Sequence, residues 1–200
     1  VRILYILVAG SSASPTISET GAAKIFRGEA RLHALDFWVR NPDYLAEELA
    51  QLFEETKEPY WLSEAERIFH FQEPDIRRFP MIRYRFGAFE RLDDTLALLT
   101  CRGLVKITGV KSGGKVKETD FLVMPSALDL AASIQKDFPG LSWYAERAAL
   151  AAKVAGDKGG DALKKRQYQQ AEYAETQLGG NIPAITERVR ARLALLKNAV

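Results

Sequence analysis

Between Cys101 and Met124 the chain reads CRGLVKITGVKSGGKVKETDFLVM, in which Arg102, Lys106, Lys111, Lys115 and Lys117 all precede the first carboxylate, Glu118. Two strand-like runs, 104–110 and 116–124, flank Lys-Ser-Gly-Gly-Lys, and the Gly113-Gly114 pair tolerates the positive φ of a tight hairpin turn. Cations along such a ribbon have a simple chemistry. Each ammonium that neutralises a phosphate releases a counterion, giving nucleic-acid affinity without sequence preference. Lysines on an exposed strand also block edge-to-edge pairing with other chains, so both readings of the hairpin stand. Arg83 and Arg85 join the candidate nucleic-acid contacts: they share one face of the alternating stretch MIRYRFG (81–87), and Ile82, Tyr84 and Phe86 share the other. Arg77 and Arg78 lie close by, with Glu73 and Asp75 near enough in sequence to offset part of their charge.

Chemistry beyond charge is thin. His33 and His70 have apolar neighbours and no cysteine or histidine at ligand spacing, so no metal site is expected. His33 reads as a packed helix residue rather than a base. Cys101, between Thr100 and Arg102 at a helix end, reads as a small, half-buried thiol. As the one cysteine it excludes an internal disulfide and fits a reducing cytoplasm. The stretch GDKGGD (156–161) lacks the Gly-Lys-Ser/Thr ending that places a lysine on phosphate. Asp36, Asp93 and Asp94 fall into no acid–base or metal spacing. The expectation is a chain with no catalytic residue and no cofactor, and not an enzyme.

Several elements must position these cations. A helix over 1–9 is followed by a polar loop to about residue 23. Leu32, Leu35 and Val39 make an apolar stripe over 28–40 that Asn41-Pro42 ends, because the residue before a proline leaves the helical region. Asp43 then reads as the cap of a helix carrying Leu45, Leu49, Leu52 and Phe53, and 56–80 reads as irregular, punctuated by prolines. The helix FERLDDTLALLTCRG (89–103) turns Leu92, Leu96 and Leu99 inward and ends at Gly103, a residue suited to a left-handed cap. A helix opening at Pro125-Ser126, with Ala127, Leu130 and Ile134 inward, and helices over 142–156, 161–178 and 184–199 complete the chain. Helices, then a helix ending in glycine, then a hairpin, is the order of a winged helix-turn-helix. The expected fold is therefore mainly α with a small β-hairpin: a winged helix-turn-helix core over 1–125, its wing at 104–124, and a helical C-terminal extension over 126–200. Glu90, Asp93 and Asp94 on the helix before the wing argue against base reading, which uses Arg, Asn or Gln.

With 200 residues, 47% of them hydrophobic, the chain can bury a substantial core. It has no apolar run near the ~20 residues that span a bilayer, so no membrane partner is expected. Residues 1–100 hold 12 Lys+Arg and 16 Asp+Glu, whereas 101–200 hold 16 and 10. Eight acids and one base, Lys57, fall between Asp43 and Glu66. The asymmetry points to separate surfaces for different partners, or to two solvated faces.

The stretches RLHALDFWVRNPDYLAEEL (31–49), IRYRFGAFERLDDTLALLTCRGLVKI (82–107) and LSWYAERAALAAKVAG (141–156) resemble the middle components of bacterial ABC-three-component systems. These accompany an SMC/Rad50-like ATPase and an effector protein, as in Lamassu-type defence against phages and plasmids. The resemblance is an order of elements over most of the chain; residues 50–80 and RQYQQAEYAETQLGG (166–180) have no counterpart in it. It implies a non-catalytic adaptor subunit in the cytoplasm that bridges the ATPase and an effector nuclease, with non-specific DNA as a further partner. Phe37, Trp38, Tyr60, Trp61, Trp143 and Tyr144 suit either interface anchors or internal packing. The alternative is a DNA-binding winged-helix transcription regulator, a homo-oligomer pairing through 184–199.

Overall fold

An eight-residue helix, α1 (Arg2–Ala9), opens the computed structural model of the chain, with Ile3 to Leu7 all buried. The structure describes every residue except 14–16, 77–79, 85–86, 113–114 and 199–200, together with all side chains but those of these residues and of 17–18, 76, 110–112 and 115–117. After α1 come β1 (Ser12–Ala13), α2 (Ile17–Thr20), β2 (Lys24–Phe26) and α3 (Glu29–Arg40). Next follow α4 (Pro42–Thr56), α5 (Pro59–His70), β3 (Ile82–Tyr84), β4 (Gly87–Phe89) and α6 (Asp93–Cys101). The rest of the chain forms β5 (Val105–Ser112), β6 (Lys115–Val123), α7 (Pro125–Asp137), α8 (Ser142–Ala155), α9 (Gly160–Gln167), α10 (Ala171–Glu175) and α11 (Thr186–Asn198). The protein is mainly helical with a small antiparallel sheet. Among the described residues, no helix is long and apolar enough to cross a membrane.

Interleaved segments build two units: Val1–Asp36 with Glu90–Arg166, and Phe37–Phe89 with Gln167–Val200. The helices α7 and α8, beyond residue 125, therefore belong with the hairpin. In the first unit the sheet order is β1-β2-β6-β5, with every neighbouring pair antiparallel. Lying between β2 and β5, β6 is paired along both edges over Phe121–Val123, and these three consecutive residues are buried. A three-residue strand, Lys24–Phe26, stands between the loop to about residue 23 and the helix from 28, where the sequence shows no element; Lys-Ile-Phe is too short to show alternation. Asp36, fully buried on α3, accepts a 2.6 Å hydrogen bond from Nε of Arg2, whose Nη2 donates to Glu90 at 2.8 Å. The opening of the chain is thus tied to both segments of its unit.

His33 lies one turn before Asp36, its Nε2 3.8 Å from Glu29. Burial lowers its pKa below the ordinary histidine value; Lys164 acts in the same direction, and Glu29 and Glu90 oppose it. The unfolded chain then takes up a proton more readily than the folded one. Stability from this group is full above the unfolded pKa of ~6.5 and is lost as pH falls from there toward the folded pKa. Protection factors of the first unit's amides, taken relative to the intrinsic exchange rate at each pH, should fall on acidification from pH ~6.5, and His33→Gln should flatten that dependence. An equally steep profile in the variant would assign the acid sensitivity to other groups.

The second unit packs α4, α5 and α11 together. Residues 59–70 form α5, not an irregular segment: Pro59 sits at its start, where the missing N–H costs nothing. Trp61, Leu62, Ala65 and Ile68 supply its buried stripe. The cap of α4 is Asn41; Asp43 lies inside the helix, its Oδ1 accepting the Tyr44 N–H and its Oδ2 the Ile185 N–H before α11. Phe89 belongs to β4 rather than to the helix before the hairpin, which starts at Asp93. Phe37 and Trp38 are core residues, whereas Tyr60 is exposed.

Candidate nucleic-acid interface

Backbone pairing of β5 with β6 runs in register from Val105 opposite Val123 to Val110 opposite Glu118. The register then shifts, so that Lys111 faces Val116 and Ser112 faces Lys115, and Lys117 is passed over. A bulge of this kind adds twist to the end of a ribbon. The hairpin therefore gathers Lys111, Lys115 and Lys117 at its far end, beside the turn, whose residues 113–114 lie outside the described residues. Lys106 and Arg102 stand at the opposite end. Lys106 is exposed on β5, and its Nζ donates to the Thr20 carbonyl at 3.3 Å. Arg102 is the exposed C-cap of α6, followed by Gly103 at φ +66°.

Arg83 is placed differently. It belongs to the second unit, half-buried, where its Nη1 donates to the Thr176 carbonyl and its guanidinium lies 5.4 Å from the centre of the Tyr168 ring. The strand alternation holds, but with the arginine turned in and Ile82 and Tyr84 exposed. Burial is affordable there because the charge has a carbonyl and an aromatic face as partners. Arg85, like Arg77 and Arg78, lies outside the described residues.

The helix in front of the hairpin has a distinct surface. Leu92, Leu96 and Leu99 are buried, and Asp93 and Asp94 are exposed in its first turn, where carboxylates suit the helix dipole. Arg91 pairs with Asp93 at 3.4 Å, both side chains largely in solvent. Leu98 is 58% exposed on the same helix, and Cys101 is a free, exposed thiol rather than a half-buried one. No group of His, Cys, Asp and Glu suited to a metal ion occurs among the described residues.

Sequence reasoning missed how the second unit uses its charges. Asp43, Glu47 and Glu48 are buried. Glu47 receives Arg188 at 2.9 Å and Arg192 at 2.5 Å, and Arg192 also binds Glu54. Arg188 further donates to Glu172 at 2.9 Å and to Gln170 at 2.8 Å. Much of the acidic stretch 43–66 is thus matched inside its own unit by the basic C-terminal helix. The one visible signal was the pair of opposite charge excesses, which fit each other as well as they fit external partners. Comparisons with protein-family models, curated proteins and solved structures find no match.

Proposed function

We propose that the first unit is a winged-helix domain and that the chain is a non-catalytic adaptor subunit, bridging an SMC/Rad50-like ATPase and an effector nuclease in a bacterial anti-phage or anti-plasmid complex. The winged-helix reading rests on the order α1, β2, α3, α6, β5, β6 with β6 between β2 and β5. In such domains the first strand pairs with the last, and the third helix precedes the wing. Residues 37–89 then form an insertion between the second and third helices that builds part of the other unit. The partner class is carried by the resemblance of 31–49, 82–107 and 141–156.

One observation carries the adaptor reading over a regulator: the exposed face of α6. A base-reading helix presents Arg, Asn or Gln. This one presents Asp93, Asp94 and Leu98. The carboxylates repel phosphate, while burying a leucine against a protein surface gains about 1.5–3 kcal/mol. Leu98→Glu should weaken co-purification with an SMC-like ATPase partner by roughly 10- to 100-fold, about 1.4–2.8 kcal/mol, with an unchanged circular dichroism spectrum. A wild-type chain that purifies alone and prefers one DNA sequence over scrambled DNA would overturn the adaptor in favour of the regulator.

Within the complex the hairpin supplies non-specific DNA affinity. Each lysine on a phosphate contributes about 0.9 to the slope of log K against log salt, so replacing Lys111, Lys115 and Lys117 with alanine should lower that slope by about 3, equally for unrelated duplexes. An unchanged slope leaves these lysines the role of edge protection.

A further inference from the structure

Between α5 and α11 runs an open groove of about 750 Å³. Ser63, Glu66, Arg67 and His70 line it from α5, and Arg190, Leu193, Ala194 and Lys197 from α11. On each helix these residues recur at spacings of three and four, so the walls are helix ridges of the kind another helix packs against. The two walls run antiparallel: Lys197 reaches Glu66 at 3.3 Å, and Arg190 lies 5.7 Å from the Phe69 ring centre. Eight residues of α5 at ~1.5 Å rise make the groove ~12 Å long, about two turns of an occupying helix.

Apolar contact is available on the floor and at one end. Leu193 is buried, Ala194 is small and exposed, and Phe71, just past α5, is 62% exposed. Of the lining cations, Arg67 is held by Glu64 of its own helix at 3.5 Å, which leaves Arg190 and Lys197 with Glu66 as the charges that face the groove. The ion pairs of Arg190 with Glu187 (3.8 Å) and of Lys197 with Glu66 (3.3 Å) are long and solvent-exposed, the kind that contributes ~0–1 kcal/mol and exchanges readily. The other side of α11 shows what such cations hold when satisfied. There Arg188 and Arg192 grip Glu47 of α4 at 2.9 and 2.5 Å, and Glu54 one heptad further along α4 also binds Arg192. So α11 already packs one acidic amphipathic helix, and its opposite face offers the complement to a second.

We propose that the α5–α11 groove receives an acidic amphipathic helix of a partner protein, its apolar side on Phe71, Leu193 and Ala194 and its carboxylates against Arg190 and Lys197. This deepens the adaptor reading and rests on it, by giving the second unit a docking site of its own.

The test uses the full chain in its native cells. A photo-crosslinking residue, p-benzoylphenylalanine, is placed at Ala194, with Leu195, 72% exposed on another side of α11, as the control position and Leu98 as a third. Mass spectrometry should find Ala194 joined to a partner segment with net negative charge and apolar residues at helical spacing, and Leu195 not joined to it. A synthetic peptide of that segment should bind the wild-type chain, and Arg190→Glu with Lys197→Glu should weaken it at least tenfold. Reversing the peptide's carboxylates to lysines should restore binding to the doubly substituted chain. A neutral or basic segment, a second copy of this chain, nucleic acid, no crosslink at all, or loss of less than threefold would each overturn the proposal. Crosslinking to protein at Leu98 but not at Ala194 removes the groove and leaves the adaptor standing; no crosslink to protein at either removes both.

Discussion

Replacing Asp43 with alanine is expected to destabilise the second unit by about 3–5 kcal/mol and to lower its melting temperature by on the order of 10–40 °C. Asp43 has no exposed surface. Its Oδ2 accepts the Ile185 N–H at 2.7 Å and the Thr186 hydroxyl at 3.3 Å, and its Oδ1 accepts the Tyr44 N–H at 3.0 Å. Ile185 and Thr186 open α11, where backbone donors have no intrahelical acceptor and the helix dipole favours a negative charge. Alanine strands those donors in a dry interior. Asp43→Asn keeps one acceptor oxygen, so its loss should be roughly half as large. Hydrogen exchange localises the effect: amides of α4 and α11 should lose protection while those of α1 and α8 keep theirs. Equal loss in both units, or an alanine variant within about 1 kcal/mol of the wild type, would remove Asp43 from this role.

That role shows where the sequence stops being legible. An aspartate just after Asn-Pro reads as a cap for its own helix, because capping is local and periodicity shows nothing about a helix start 142 residues away. Helices with a continuous apolar stripe are visible from spacing alone, as α3, α4, α8 and α11 are. Residues 59–70 are obscured because a proline that starts a helix and one that breaks it look alike until the buried stripe behind it is counted. In β3, alternation groups Ile82 with Tyr84 and sets Arg83 apart, but it does not say which face turns inward. The deciding features, Tyr168 and the Thr176 carbonyl, lie far along the chain. Of the candidate interface, the hairpin lysines and the acidic start of α6 are readable directly. The groove is not, since α5 and α11 each show a plain amphipathic pattern and only their packing leaves a face between them.

Charge shows the same limit with a functional consequence. Two opposite excesses along one chain can meet each other or meet partners, and composition weighs both equally. In the second unit the inner cations of α11 meet α4, whereas the outer ones, Arg190 and Lys197, make exposed pairs with Glu187 and Glu66. Partner docking on the raw acidity of 43–66 would use Glu47, which is already held by two arginines.

Gly87→Ala is expected to cost the second unit about 3 kcal/mol, from backbone strain and a steric clash together. Gly87 holds φ at +117°, a conformation L side chains rarely adopt, and an added Cβ would run into the Tyr173 hydroxyl. That hydroxyl is fixed in place. Tyr173 is 1% exposed, its ring packs edge-on against Phe37 and Tyr168, and its Oη accepts the Ala88 N–H at 2.5 Å. Burial pushes its pKa up to about 12, against the opposing hydrogen bond from Ala88, so it remains a neutral phenol throughout the physiological range. Tyr173→Phe alone should cost about 1–2 kcal/mol, by stranding the Ala88 donor. In Gly87→Ala with Tyr173→Phe the hydroxyl that the new methyl meets is gone, so the pair should fall short of the sum of the single losses by about 1 kcal/mol. Strict additivity in urea titrations would mean that φ strain alone accounts for the glycine, while coupling of this sign places the Tyr173 hydroxyl against residue 87 and makes the β3–β4 ribbon a part locked to α10.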